Sequence, residues 1–116
     1  MLNVYTSQYN YKGDGRTDIT VKTATEPWKI FVPTWPMVKA YMNSDKGAVA
    51  EQIYKTQYEG IVDKAFDKYN DDLMNLIYSD LKRVFVCFCK SRDFCHRLLL
   101  ARRFEMLGAI YHGEIK

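Results

Sequence analysis

The chain has 116 residues, of which 47% are apolar, 27% charged and 15% aromatic, and its formal net charge is +3. That length holds one hydrophobic core and excludes a second domain, the aromatic content excludes intrinsic disorder, and no apolar run approaches the roughly 18–20 residues of a membrane span. The charge is compatible with an anionic partner but too small to identify one, and Met1 to Asn10 lacks the basic start and apolar middle of a secretory leader, so the expected location is the cytoplasm.

Leu2 to Tyr5 has strand character. Tyr9 to Arg16, with Gly13, Asp14 and Gly15, reads as a turn because these residues tolerate unusual backbone angles. Asp18 to Val21 is a candidate second strand, since Ile19, Thr20 and Val21 are β-branched. Thr25 to Pro36 holds all three prolines and both tryptophans and reads as an ordered loop, with Ile30-Phe31-Val32 as a short edge strand. Pro36 suits the first position of a short helix through Met42. From Gly47 to Tyr69 apolar residues recur every three or four positions, among them Ile53, Tyr54, Tyr58, Val62 and Phe66, which predicts one helix face. Asn70-Asp71-Asp72 offers capping side chains for a further helical segment striped by Leu73, Leu76, Ile77 and Leu81.

Val84 to Cys89 is an unbroken apolar run, as in a parallel strand covered on both faces. The polar connection Lys90 to Asp93 follows, then a helix from Phe94 to Leu107 with Gly108 just past its end. Ala109 to Ile115 reads as a closing strand, giving a right-handed βαβ unit. The predicted fold is α/β: a three-layer sandwich with a small, mostly parallel sheet and helices on both faces.

Chemistry is expected where that strand hands over to that helix, because ligands of open α/β sheets bind beyond the carboxyl ends of the strands. With Asp93 as the cap, Cys95, His96 and Arg97 fall in the first turn, near free N–H groups and the positive end of the helix dipole. An anion could be held there by those donors and Arg97, or Cys95 could be acidified toward its thiolate, against the opposing charge of Asp93. The competing reading of Cys95 is a small packed core residue. An odd count of cysteines, Cys87, Cys89 and Cys95, in a chain expected in the cytoplasm does not suggest a disulfide framework, and a Cys87–Cys95 bond, possible in space, is disfavoured in a reducing compartment. Zinc is disfavoured, because C-x-C-x5-C-H is not a usual ligand spacing and adjacent helical residues diverge by about 100°. Arg102 and Arg103 read as a solvated face, and Lys12 to Arg16 as a turn without phosphate-loop spacing. Tyr5, Tyr9, Tyr11, Trp28 and Trp35 supply core area or a stacking surface.

The segment Val84-Phe-Val-Cys-Phe-Cys-Lys-Ser-Arg-Asp-Phe-Cys-His-Arg-Leu-Leu-Leu-Ala resembles the C-terminal signature of the domain-of-unknown-function family 488: an apolar strand ending in Cys, an acidic residue and Lys, then a polar turn and Cys-His-Arg opening a helix. Cys87 and Lys90 match the strand end, and Cys95, His96 and Arg97 the triplet. Val4 to Ser7, Asp18 to Val21, Val32-Pro33, and Tyr54 with Tyr58 match the rest of the short, single-domain branch. Cys89 departs from the pattern, standing where the family carries a glutamate. The resemblance implies a three-layer α/β fold and a pocket at Cys95 to Arg97, without an assigned reaction, in a family found in bacteria, archaea and phages; a compact, tyrosine-rich chain suits a phage.

The leading expectation is a binding module for a small anion, a nucleotide or a nucleic-acid fragment. Arg97, Lys90, Tyr5, Ser7, Asp18 and Tyr58 form its binding set, with no metal, cofactor or membrane involved. The alternatives are an enzyme with Cys95 as nucleophile and His96 as proton shuttle, acting on a nucleotide or nucleic acid, and a protein-binding inhibitor that presents the loop Trp28 to Trp35.

Overall fold

Side chains alternate along a strand, so a run apolar at every position must be covered on both faces. Val84, Phe85, Val86 and Cys87 meet that requirement, all four being buried. The computed structural model of the protein describes residues 1–88 and 94–116. Its strands are β1 (Asn3–Gln8), β2 (Arg16–Asp18), β3 (Lys82–Cys87) and β4 (Ile110–Ile115). They form a four-stranded sheet in the order β2-β3-β1-β4, parallel at every pairing. Three helices complete the α/β architecture: α1 (Trp35–Met42), α2 (Ala48–Ile77) and α3 (His96–Met106).

The face of the sheet that carries Val4, Thr6 and Phe85 meets the helices. Phe104 of α3 lies 5.4 Å, ring to ring, from Phe85 and 5.9 Å from Phe31. Phe66 of α2 closes on the same ring at 5.7 Å, and Arg103 of α3 pairs with Asp63 of α2 at 2.7 Å. Both helix-bearing connections, β2 to β3 and β3 to β4, step the same way across the sheet, so right-handed crossovers bring α2 and α3 together. The other face holds Val84 and Val86, fully buried, among Tyr5, Ser7, Arg16 and Asp18. The connection from β1 to β2 closes against β3 at Gly15. Its φ is +75°, and a Cβ there would meet the Lys82 carbonyl oxygen at 2.7 Å, so only glycine fits.

Two predicted strands take other forms. β2 ends at Asp18, before the β-branched triplet, because the Asp18 carboxylate accepts from the Thr20 backbone N–H (2.8 Å) and hydroxyl (2.7 Å) and turns the chain. The segment Trp28–Phe31 is a 3-10 turn rather than an edge strand. Its three-residue period sets Trp28 and Phe31 on one side, in contact with each other, with Trp28 also against Phe85 and Phe31 against Phe104. α1 begins one residue before Pro36, with Thr34 as its cap. α2 runs on through the predicted break; non-helical angles at Tyr69 mark the kink, beside the Asn70-Asp71-Asp72 cluster. Gly108, at φ +116°, follows the end of α3 as expected.

Phe104 touches Phe31, Phe66 and Phe85 at once. Phe104→Ala is therefore expected to lower unfolding free energy by about 3–5 kcal/mol, read as a lowered midpoint in urea. A loss near zero would show that this ring is not the joint between α2, α3 and the sheet.

Candidate functional site at the end of β3 and the start of α3

β3 delivers Cys87 at its last position, on the Phe85 face, and α3 begins at His96. Cys95 caps α3 from outside it, in extended conformation (φ −153°, ψ 151°). It is therefore the cap itself, not a second helical residue, and the helical divergence of about 100° does not apply to Cys95 and His96. The Cys95 Sγ lies 3.6 Å from the His96 Nδ1. Asp93, expected as the cap, Lys90, expected as a ligand contact, and Cys89, at the family's acidic position, lie outside the described residues.

Four buried side chains converge here: Cys87, Cys95, His96 and Arg97. The Cys87 and Cys95 sulfurs are in direct contact, close enough to pair as a disulfide, with their Cα atoms 7.9 Å apart. The Arg97 guanidinium donates from Nη1 to the Cys87 Sγ at 2.9 Å. Its other edge grips the Glu114 carboxylate of β4 in a fork, Nε to Oε1 at 3.2 Å and Nη2 to Oε2 at 2.9 Å. The His96 Nε2 donates to the Ile19 carbonyl at 2.7 Å. A carbonyl can only accept, so the ring proton sits on Nε2 and the Nδ1 lone pair faces the Cys95 sulfur. Burial pushes the His96 pKa down to about 4; the bond to Ile19 opposes that shift, and the charge of Arg97 adds to it. The imidazole is neutral at pH 7 and a weak base. Tyr58 stands edge-on to it at 5.4 Å.

The remaining expected site residues do not join this group. Tyr58 comes close through its ring, but its hydroxyl donates to the Phe31 carbonyl at 2.7 Å, and burial raises its pKa. Tyr5, Ser7 and Asp18 lie on the opposite face of the sheet by strand alternation. Tyr5 stacks on His112 at 4.6 Å, the Ser7 hydroxyl donates to the Ile115 carbonyl, and Asp18 holds the Thr20–Thr23 turn. In the tryptophan loop Phe31 is buried and Trp28 half-buried, while Trp35 is 45% exposed.

Two residues of the group, Cys87 and Glu114, were not among the expected catalytic or binding residues. Cys87 could have been assigned from the period-two alternation of β3, which sets it on the Phe85 face. Glu114 has no local signal: only the parallel pairing of β1 with β4, across more than a hundred residues, brings it to Thr6 and so to Arg97. A cleft of about 360 Å³ between α2 and α3, bordered by Glu51, Lys55, Phe94 and Arg102, is separate from the four buried side chains. Comparison with family models, with curated proteins and with solved structures finds no match to this chain.

The buried, neutral His96 predicts an acid-side loss of stability. Its folded pKa of about 4 lies below the ordinary value near 6.5, so as pH falls the unfolded chain takes up the proton first. Its contribution is constant above about pH 6.5 and declines toward pH 4 by up to about 1.4 kcal/mol per pH unit. Urea midpoints measured across that window should fall for the parent and less steeply for His96→Gln; equal slopes would show that His96 does not carry the effect.

Proposed function

We propose that the protein is a thiol-redox module whose working groups are Cys87 and Cys95. The observation that carries this reading is the pair of sulfurs in contact, with a cation on one side and an imidazole lone pair on the other. In the reduced state the Arg97 N–H that reaches the Cys87 sulfur can donate a charge-assisted hydrogen bond to a thiolate there. The Cys95 S–H can donate to the His96 Nδ1 and stay protonated. The residues that carry the resemblance to family 488, Cys87 and Cys95 to Arg97, are also the ones that converge.

Oxidation by a small disulfide then runs in two balanced steps. The Cys87 thiolate attacks one sulfur of R–S–S–R, forming a mixed disulfide and releasing R–S⁻. The Cys95 sulfur displaces the second R–S group, its proton passing to a leaving thiolate. Two electrons move from the cysteine pair to the reagent. Because both sulfurs are buried, exchange requires local opening, which makes this a slow couple. Reduced protein treated with glutathione disulfide should gain a Cys87–Cys95 cross-link in its peptide map, and Arg97→Met should slow its formation. If Cys87 and Cys95 both remain open to alkylation after denaturation, or the bond forms to Cys89 instead, this assignment fails.

A nucleotide-binding reading has one separate observation behind it. At the carboxyl ends of β1 and β3, Tyr9 stacks on Phe88 with ring centroids 4.1 Å apart. The Arg16 guanidinium lies 4.6 Å over the Tyr9 ring, and Phe88 is 62% exposed. An exposed ring beside a cation can take a base and its phosphate, with stacking worth about 1–3 kcal/mol. On this reading, nucleotides raise the melting temperature of the parent and not of Phe88→Ala. Equal responses from the two proteins would remove Phe88 as the stacking surface.

A further inference from the structure

Once reduced, Cys87 and Cys95 leave two sulfurs and one imidazole lone pair crowded together below the surface. The Cys87 Sγ, Cys95 Sγ and a ring nitrogen of His96 all lie within 4.8 Å of one another, and all three residues are buried. Tetrahedral Zn²⁺, with bonds of about 2.3 Å to sulfur and about 2.0–2.1 Å to nitrogen, holds its ligand atoms about 3.5–3.8 Å apart. The Cys95 Sγ to His96 Nδ1 separation of 3.6 Å already has that value. The Cα spacing of 7.9 Å between Cys87 and Cys95 exceeds the roughly 4.4–6.8 Å span of ordinary disulfides, and it leaves room for the sulfurs to separate around an ion.

We propose that the reduced protein binds one Zn²⁺ through the Cys87 Sγ, the Cys95 Sγ and the His96 Nδ1. The proposal rests on the thiol reading in one respect, that both cysteines exist as a reduced pair.

Three further features fit the ion. The His96 Nε2–H is fixed on the Ile19 carbonyl at 2.7 Å, which is how metal-bound histidines are held in one tautomer and orientation. The Arg97 N–H on the Cys87 sulfur can remain as a hydrogen bond to a bound thiolate. Charge also closes: two thiolates balance Zn²⁺, Arg97 balances Glu114, and the imidazole is neutral. Two buried thiolates without a cation between them would face a severe desolvation cost. Soft sulfur with imidazole selects zinc over Mg²⁺ or Ca²⁺, which require oxygen ligands. The fourth position is left to water, as in zinc sites that keep an open coordination place.

The probe is Co²⁺ added to the reduced full chain, followed by displacement with Zn²⁺. One equivalent should produce intense tetrahedral d–d bands and a thiolate-to-cobalt charge-transfer band, both erased by one equivalent of Zn²⁺. Cys87→Ser and Cys95→Ser should lose most of the charge-transfer intensity, and His96→Gln should weaken affinity by at least tenfold. Prior formation of the Cys87–Cys95 disulfide in the parent should abolish binding, an arm that depends on no variant folding. Absence of the bands in the reduced parent overturns the proposal, as does their survival in either serine variant or unchanged affinity in His96→Gln. The two readings separate cleanly: a cross-link without cobalt binding removes the metal site alone, and cobalt binding without a cross-link removes the redox couple alone.

Discussion

The guanidinium of Arg97 is fully buried, and the Glu114 carboxylate meets its charge through two parallel hydrogen bonds. An isolated guanidinium in such a place would cost several kcal/mol, so the fork to Glu114 is a condition for the folded state, not an embellishment of it. Arginine can do this where lysine cannot, because its planar head offers two donors to the carboxylate and still has one for sulfur. Through that head α3 is tied to β4 by Glu114 and to β3 by Cys87. The position of the helix start follows, and with it the placement of Cys95 beside the His96 ring.

Much of this fold was legible in the sequence because the signals were local. The unbroken run at Val84 to Cys87 marks an interior parallel strand, the three-four spacing through Tyr54, Tyr58 and Val62 marks a long helix, and Gly108 marks its neighbour's end. Where the reading went astray, a side chain competed with backbone propensity. Ile19-Thr20-Val21 favours a strand by type, but the Asp18 carboxylate captures Thr20 and ends the pairing. Ile30-Phe31 favours a strand as well, yet burying Trp28 and Phe31 together requires a period of three. At the site the triplet Cys95-His96-Arg97 was visible, but its partners were not. Glu114 and the Ile19 carbonyl reach it through sheet order and packing, which no window of neighbouring residues contains.

The sheet also divides residues that the sequence reading puts in one binding set, Arg97 on one face and Tyr5, Ser7 and Asp18 on the other. Cys87 and Glu114 lie with Arg97 on the helix side. The two groups come nearest at the carboxyl ends of the strands, where Ile19 follows Asp18 and accepts from His96. A change on the Asp18 side therefore has a short route to the imidazole, one residue along the backbone, without touching the sulfurs.

Strand β1 comes first in the chain yet lies in the middle of the sheet, with Asn3 opposite Lys82 on one side and Ile110 on the other. Its two hydrogen-bonding partners, β3 and β4, are made only after the whole of α2. A nascent chain stopped before β3 therefore exposes a strand with both edges unsatisfied, the kind of edge that templates aggregation. Its pairings are all non-local, which slows folding and lengthens that exposure. Strand β1 is thus among the elements most dependent on a chaperone or on prompt synthesis of the residues that follow it.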